Sequence, residues 1–472
     1  MIELWQKIAE FFKGLISGKT RLPPEIESSQ YNLLEFYDIY RCKAPWLKYD
    51  YVTSDGQKRT RRRLTLNPAK IACSELAGLV LAEVPEVQAG DLVESVLTNE
   101  RFFDNLRKAI EYQAAFGGQA IKAYVTSDRR IKIDFVKAPN FIPLEWDNAQ
   151  VIEGSFIDRR KKNGKSYIRV ETHRIAENGK YEVENKAFDE LTKKEVLLSV
   201  IADWAKIEPI MPIDSTVPMF VYITNPEANN IDPESPLGIS LFANAIDTIQ
   251  ALDLAFDGMK TEILTGRQRV AIPAIMMRKY KDPEDGKMKT GFDPTDEAYI
   301  KLEGDDASKM TPTDLSGQLR MEQWRLAIQT LLDIYAVQIG YNAGYFSFDG
   351  TSMKTATEVI SENSKTFKTM QAYRENIDFG LKQLFRMINE LGRIYQIQGF
   401  TADEPNIIWD DSVIDDRQSR YNYYSQMVGS KLIDRITALM RVHGIDEEAA
   451  IEMNEKIKKE TQVAIDQSIF GA

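Results

Sequence analysis

The sequence predicts an α+β protein, and three observations carry the prediction. Between 119 and 222 apolar and polar residues mostly alternate, the period of half-buried antiparallel strands. Three long stretches, about 238–266, 319–341 and 355–398, instead repeat their apolar residues at helical spacing. The chain has 472 residues, 43% hydrophobic and 28% charged, an ordinary globular composition with length enough for more than one core.

The elements follow in order. Ile2, Trp5, Ile8, Phe12 and Leu15 lie roughly on one helical face, but Glu3, Lys7, Glu10 and Lys13 interrupt it. That pattern is no signal peptide, and it reads as a docking helix before a membrane-surface one. Nothing in the chain holds 18 consecutive apolar residues, so no spanning segment is expected. Aromatic residues crowd 31–53, and Asp55-Gly56 reads as a hairpin turn. The run Lys58-Arg59-Thr60-Arg61-Arg62-Arg63 then reads as a solvated or subunit-facing strand more readily than as a nucleic-acid patch.

Asn67-Pro68 opens a helix, with Asn as N-cap, Pro at the first position and Ile71, Leu76, Leu79, Val80 and Leu81 as the buried side. A second helix spans about 99–117 and ends at Gly117-Gly118. The alternating region carries turns at Asn163-Gly164 and Asn178-Gly179, so 1–235 reads as one α+β half. Turn residues fill 225–236. The 238–266 helix follows, with Asp247, Asp253, Asp257 and Glu262 on its polar face. Residues 267–318 form a short-strand and loop module. The 319–341 helix leads to a Gly-, Ser- and aromatic-rich segment at 342–353. A capping box at Thr355-Ala-Thr-Glu358 starts the longest helix. One strand and an acidic loop occupy 406–416, and helices are expected at about 417–429, 431–442 and 446–461.

The charge balance is −11. An acidic protein does not wrap duplex DNA by neutralising phosphates, so a DNA partner would pass through rather than adhere. Cys42 and Cys73 fall in no CxxC pattern, and His173 and His443 are the only histidines, which leaves little for a zinc site or histidine catalysis. Asp410, Asp411, Asp415 and Asp416 lack EF-hand spacing and read as helix capping and a solvated loop. No phosphate-binding GxxxxGK[ST], GxSxG or HExxH occurs. No enzyme, metal or cofactor is expected.

The order of parts resembles the portal proteins of tailed double-stranded DNA bacteriophages. The stretches Leu66-Asn-Pro-Ala-Lys-Ile-Ala-Cys-Ser-Glu-Leu-Ala-Gly-Leu79, Ser235-Pro-Leu-Gly-Ile-Ser240, Lys354-Thr-Ala-Thr-Glu-Val359 and Ile408-Trp-Asp-Asp411 are similar to the branch found in long-tailed phages of Gram-positive hosts. The resemblance implies a portal fold: an α+β wing at 1–235, a stem helix at 236–266, a clip at 267–318, a second stem helix at 319–341, a tunnel loop at 342–353, a long wing helix at 354–400 and a helical crown at 401–472. It implies a homo-oligomeric ring, usually of twelve, at one capsid vertex of the virion, assembled in the host cytoplasm. The ring would dock the terminase large subunit during packaging and a head-completion or adaptor protein afterwards. It would also meet the major capsid and scaffolding proteins, touch double-stranded DNA transiently without reading sequence, and engage no membrane.

On this reading Ser347, Gly350, Thr351, Ser352 and Lys354 face DNA in the channel, while Tyr345, Phe346 and Phe348 pack between neighbouring subunits; the alternative for 342–353 is a helix-to-helix hinge buried against the same subunit. Arg278, Lys279, Lys281, Lys287 and Lys289 dock terminase and adaptor. The acids of the 238–266 helix make a repulsive or neutral wall if that face lines the bore. The rival reading is an internal capsid or tail structural protein without a DNA channel.

Overall fold

The computed structural model describes residues 24–52, 56–148, 150–176, 179–266, 270–273, 279–281, 288–290, 299–302, 313–314, 319–347, 364–409, 417–443, 450–451 and 453–457. The fold is α+β. It comprises two compact units, each built from separate stretches of chain: one within 1–75, 112–118 and 227–348, the other within 76–111, 119–226 and 349–472. This division follows packing, whereas the segments expected above follow chain order.

In the first unit a helix at Pro24–Tyr40 has no counterpart among the expectations. Leu33, Leu34, Phe36 and Ile39 are its buried residues, a helical stripe. Phe36 meets Phe242 edge-on at 6.0 Å, and Tyr37 and Tyr40 lie 5.5 and 5.7 Å from Phe116. Those aromatics therefore find partners within their own unit. The expected hairpin forms, with Lys48–Val52 antiparallel to Lys58–Arg62. The helix Pro68–Val80 starts where expected, but its packing residues differ. Ile71 is exposed, and Ala69, Ala72 and Cys73 are buried in its place, so small side chains hold that face. Asn67 adopts left-handed backbone (φ 53°), and its carbonyl accepts the first helical hydrogen bond from Ile71.

The helix Ile246–Thr265 begins later than expected, after a single 3-10 turn at Ala243–Ala245. It packs against the helix Met321–Gln338, with Thr248 Oγ1 donating to Gln338 Oε1 at 2.7 Å. A Cβ at Gly258 would sit 2.7 Å from the Trp324 ring, so glycine sets how closely the two helices approach. Between them, Val270–Pro273 runs parallel to Tyr299–Leu302 and antiparallel to Thr313–Asp314, and Lys279–Lys281 pairs with Met288–Thr290.

The Ser235–Ser240 stretch gains a physical role here. The helix Phe102–Phe116 leaves carbonyls unpaired in its last turn. Ala114 O accepts from Leu241 N at 2.8 Å and from Ser240 Oγ at 3.4 Å. Leu237, Ile239 and Phe242 are buried around that junction.

The second unit holds the alternating strands. A six-stranded antiparallel sheet runs in the order Glu195–Val196, Tyr181–Asp189, Lys165–Ile175, Gln150–Lys162, Phe141–Asp147, with Ile210–Ile213 also paired to Tyr181–Asp189. A three-stranded sheet is ordered Phe220–Thr224, Gly118–Val125, Ile131–Lys137. The helix Ser364–Tyr395 buries Met370, Tyr373, Ile377, Leu381, Leu384, Phe385, Ile388 and Leu391, a stripe repeating every three or four residues. It lies on Phe220–Thr224. Asn376 Nδ2 donates to Thr224 O at 3.1 Å, and a Cβ at Gly380 would stand 2.1 Å from Ile223 Cδ1. The strand Asn406–Ile408 pairs with Glu86–Gln88, and a helix at Asp91–Asn99 follows Gly90 at φ 91°. Neither that pairing nor that helix was among the expectations. Two helices, Arg417–Gly429 and Arg435–His443, follow.

Candidate functional site

The 342–353 segment grows out of a capped helix end. Gly340 adopts φ 84°, and Tyr341 N donates to Ala336 O at 2.8 Å, a glycine-terminated helix stop. Tyr341 is fully buried, and its hydroxyl donates to Ala72 O at 3.3 Å. Tyr335, also buried, donates to Pro68 O at 3.0 Å. These two rings make a platform for the next residues. Tyr345 stands edge-on to Tyr341 at 4.7 Å, and Phe346 lies 5.6 Å from Tyr341 and 5.9 Å from Tyr335. The Gly344 N–H donates to Asp333 Oδ1 at 3.1 Å, and the Gln329 amide donates to the same oxygen at 2.9 Å.

The first part of the segment is thus anchored to its own unit. Tyr345 and Phe346 pack on rings of their own unit, and each keeps part of its surface exposed. Burial and neighbouring Glu75 push the Tyr345 phenol up to about 12. Ser347 is exposed immediately after the anchor. Gly350, Thr351, Ser352 and Lys354 lie outside the described residues, as does Phe348.

The acidic face of the helix Ile246–Thr265 also differs from its reading as a channel wall. Asp253 is buried and accepts from Trp46 Nε1 at 2.9 Å. Burial pushes its carboxyl up, opposed by hydrogen bonds from Thr65, Trp46 and the Leu66 amide. Asp257 is buried and accepts from the Leu64 N–H at 3.2 Å and from Arg61 at 3.5 Å. Glu262 accepts from Arg320 N at 2.7 Å, Arg320 Nη2 at 2.9 Å and Trp324 Nε1 at 2.6 Å. Of the four acids only Asp247 is exposed. The other three hold the hairpin and the second helix in place. Periodicity separates polar from apolar positions but does not say whether a polar one meets water or a partner from far along the chain.

The basic run resolves the same way. Arg61 reaches Asp257 and Thr261, Arg62 donates to Cys42 O at 3.1 Å, and Arg63 donates to Trp46 O at 2.8 Å while lying over the Tyr49 ring.

Glu262 clasps the two helices where the small β module enters. Its carboxyl is held down to about 2 by hydrogen bonds from Arg320, Trp324 and the Arg320 amide. A folded-state value below the ordinary 4.5 contributes stability that is complete above 4.5 and lost as pH falls through about 2. Glu262→Gln is expected to speed hydrogen exchange at the Arg320 amide at neutral pH, an effect that shrinks towards pH 2. Unchanged exchange at Arg320 would remove the clasp.

Among the expected docking residues, Lys279, Lys281 and Lys289 lie on the paired strands Lys279–Lys281 and Met288–Thr290. The register sets Lys279 against Thr290, Tyr280 against Lys289 and Lys281 against Met288. Arg278 and Lys287 lie outside the described residues. So do Asp410, Asp411, Asp415 and Asp416. Among the described residues no group of His, Cys, Asp and Glu is arranged to hold a metal ion, and no helix is long and apolar enough to cross a membrane.

A buried polar network in the second unit had no place in the sequence reading. Glu171 Oε1 receives Lys122 Nζ at 2.6 Å and lies 2.9 Å from His173 Nε2, and Oε2 receives Arg169 Nη1 at 2.8 Å. Arg169 also donates to Asn185 Oδ1 at 2.8 Å, and His173 Nδ1 lies 2.7 Å from the Tyr181 hydroxyl. A neutral imidazole donating from Nε2 to the carboxylate and accepting the tyrosine proton at Nδ1 satisfies both ring nitrogens, while Arg169 Nε is buried without a hydrogen-bond partner. Burial lowers the His173 value, against the pull of Glu171. Burial would raise Glu171, but Lys122, His173 and Arg169 overcome it and hold the carboxyl well below its ordinary value.

The family model described as "Phage portal protein, SPP1 Gp6-like" matches residues 25–467. The chain belongs to this phage portal family. It is a structural family, and a portal is a component of the virion. In portal terms the anchored 342–347 stretch and the β module between paired helices are the parts to which the resemblance assigned channel and docking roles. No curated protein matches the chain in sequence. Among solved structures, the neck of a native GTA particle computed with C12 symmetry is similar over 79% of this chain and 88% of that one, at 10% identity and a TM-score of 0.40.

Proposed function

We propose that this portal protein assembles as a ring at one capsid vertex, around a channel through which double-stranded DNA enters and leaves. The family match over 25–467 carries the reading. The cyclic interface would be head-to-tail, as ring closure requires. The protein acts as conduit and dock, not as an enzyme. It assembles in the host cytoplasm and meets the major capsid and scaffolding proteins there.

The segment after the Tyr345–Phe346 anchor is the part assigned to DNA, with Ser347, Gly350, Thr351, Ser352 and Lys354 as its polar residues. A sliding contact needs weak adhesion, and one exposed lysine is worth little once salt screens it. The test is cross-linking from Ser347→Cys in DNA-filled heads, with Asn99→Cys, an exposed helical position, as control. Cross-links from 347 and none from 99 are expected. Equal yields from both would overturn the assignment.

The 267–318 module is assigned to docking, first of the terminase large subunit and then of the head-completion or adaptor protein, through Arg278, Lys279, Lys281, Lys287 and Lys289. Deleting 280–290 is expected to leave rings intact by electron microscopy and to stop packaging. Packaging by the deleted ring would remove the module from that role.

A further inference from the structure

One end of the six-stranded sheet carries a basic surface in an otherwise acidic chain. The hairpin joining Gln150–Lys162 to Lys165–Ile175 turns at Asn163-Gly164, with φ of 51° and 77°. Both values lie in the left-handed region that a two-residue hairpin turn requires. Arg160, Lys161, Lys162 and Lys165 are exposed around that turn. The next connection, after Tyr181–Asp189, exposes Lys193 and Lys194.

Three bonds tie these loops and the 198–200 turn together. Lys162 Nζ donates to Val200 O at 2.7 Å, Arg159 pairs with Glu190 at 3.2 Å, and Glu190 N donates to Ser166 O at 3.0 Å. Asp189 fixes the second loop by accepting from the Leu191 and Thr192 N–H groups. Two leucines stand out from this rigid ground: Leu191 is 89% exposed and Leu197 is 80% exposed. A turn held by its own hydrogen bonds does not need such leucines for its fold.

We propose that this end of the sheet docks an acidic protein segment carrying apolar side chains. The lysines supply charge complementarity, and Leu191 and Leu197 supply apolar anchors beside them. A protein segment fits better than a duplex or a bilayer. Asp158 and Glu190 are engaged by Arg160 and Arg159, but Glu195 remains exposed amid the lysines. A phosphate array presents unbroken negative charge and meets that carboxylate as well as the lysines. A peptide can place its acids opposite the lysines and leave a gap opposite Glu195. The surface lies apart from 342–353 and 267–318 in sequence and does not depend on the channel assignment.

The test titrates the full-length protein against three probes: a fluorescent peptide of alternating Glu and Leu pairs, a short DNA duplex, and anionic lipid vesicles. The peptide is expected to bind, and Lys161→Glu/Lys165→Glu/Lys193→Glu/Lys194→Glu is expected to weaken it by about tenfold or more. Leu191→Ser/Leu197→Ser is expected to weaken it as well, at unchanged salt dependence. All the substitutions fall on exposed residues at strand ends and in the connections, and unchanged thermal melting checks that the fold survives. Absence of peptide binding, or binding indifferent to the leucine pair, overturns the proposal. Stronger binding of duplex or vesicle than of peptide, lost in the lysine variant, overturns it in favour of that partner.

Discussion

Gly117→Ala is expected to destabilise the first unit by about 2–5 kcal/mol, from left-handed strain of about 1–2 and overpacking of about 1–3. Gly117 has φ 82°, and an added Cβ would stand 2.2 Å from Gly238 O and 2.8 Å from Ile239 C. Those neighbours are main-chain atoms, so no side chain can rotate away. They also belong to the stretch that satisfies Ala114 O, so a shift there weakens a helix terminus too. Gly164→Ala is the control. Its φ of 77° is nearly the same, but nothing lies within 4 Å of the new Cβ. It should cost only the conformational part, about 1 kcal/mol. Hydrogen exchange in peptides covering 112–118 and 237–242, with the urea midpoint of each variant, reads the difference. Equal losses for the two glycines would mean that the contact with Gly238 contributes nothing.

That pair shows where sequence reasoning reaches and where it stops. Asn163-Gly164 is legible because its chemistry is local: two left-handed residues between alternating strands admit one kind of turn. Gly117 reads as a helix end, and the structure agrees, but its partner Gly238 lies far along the chain and leaves no local mark. Two of the short stretches that carry the portal resemblance behave alike. Ser235–Ser240 is a helix-end contact, and the Ala69, Ala72, Cys73 face gives Tyr335 and Tyr341 access to backbone carbonyls. These are packing roles.

The channel residues were placed by resemblance and by flanking helices. The anchoring of Tyr345 and Phe346 needed coordinates, because an aromatic residue in a glycine-rich segment fits a neighbouring subunit and its own core equally well. The acids at 253, 257 and 262 failed as a channel wall for a related reason. Their partners Trp46, Leu64 and Arg320 are distant in sequence, and helical period alone assigns every polar face to solvent.

Lys122→Met is expected to destabilise the second unit by about 1–3 kcal/mol at pH 8, because Glu171 Oε1 loses its shortest charge-assisted hydrogen bond while Arg169 still pairs with Oε2. Lys122 is 6% exposed, and its ammonium is the largest attraction holding Glu171 ionised. The loss should depend on pH. In the wild type both shifts act in one direction. His173 is depressed below 6.5, so the unfolded chain takes up its proton first and stability falls as pH drops below 6.5. Glu171 is depressed below 4.5, and its contribution is lost at still lower pH. In the variant, the repulsion of Lys122 on His173 is gone while the attraction of Glu171 remains. The imidazole then takes a proton nearer its ordinary value and replaces the missing cation. The destabilisation relative to wild type should therefore shrink between pH 8 and pH 5.5. The measurement is the urea midpoint of both proteins at the two pH values, with the His173 ring titrated by NMR. A loss independent of pH would assign Lys122 to packing over the Phe156 ring, 4.8 Å from its ammonium, and not to charge.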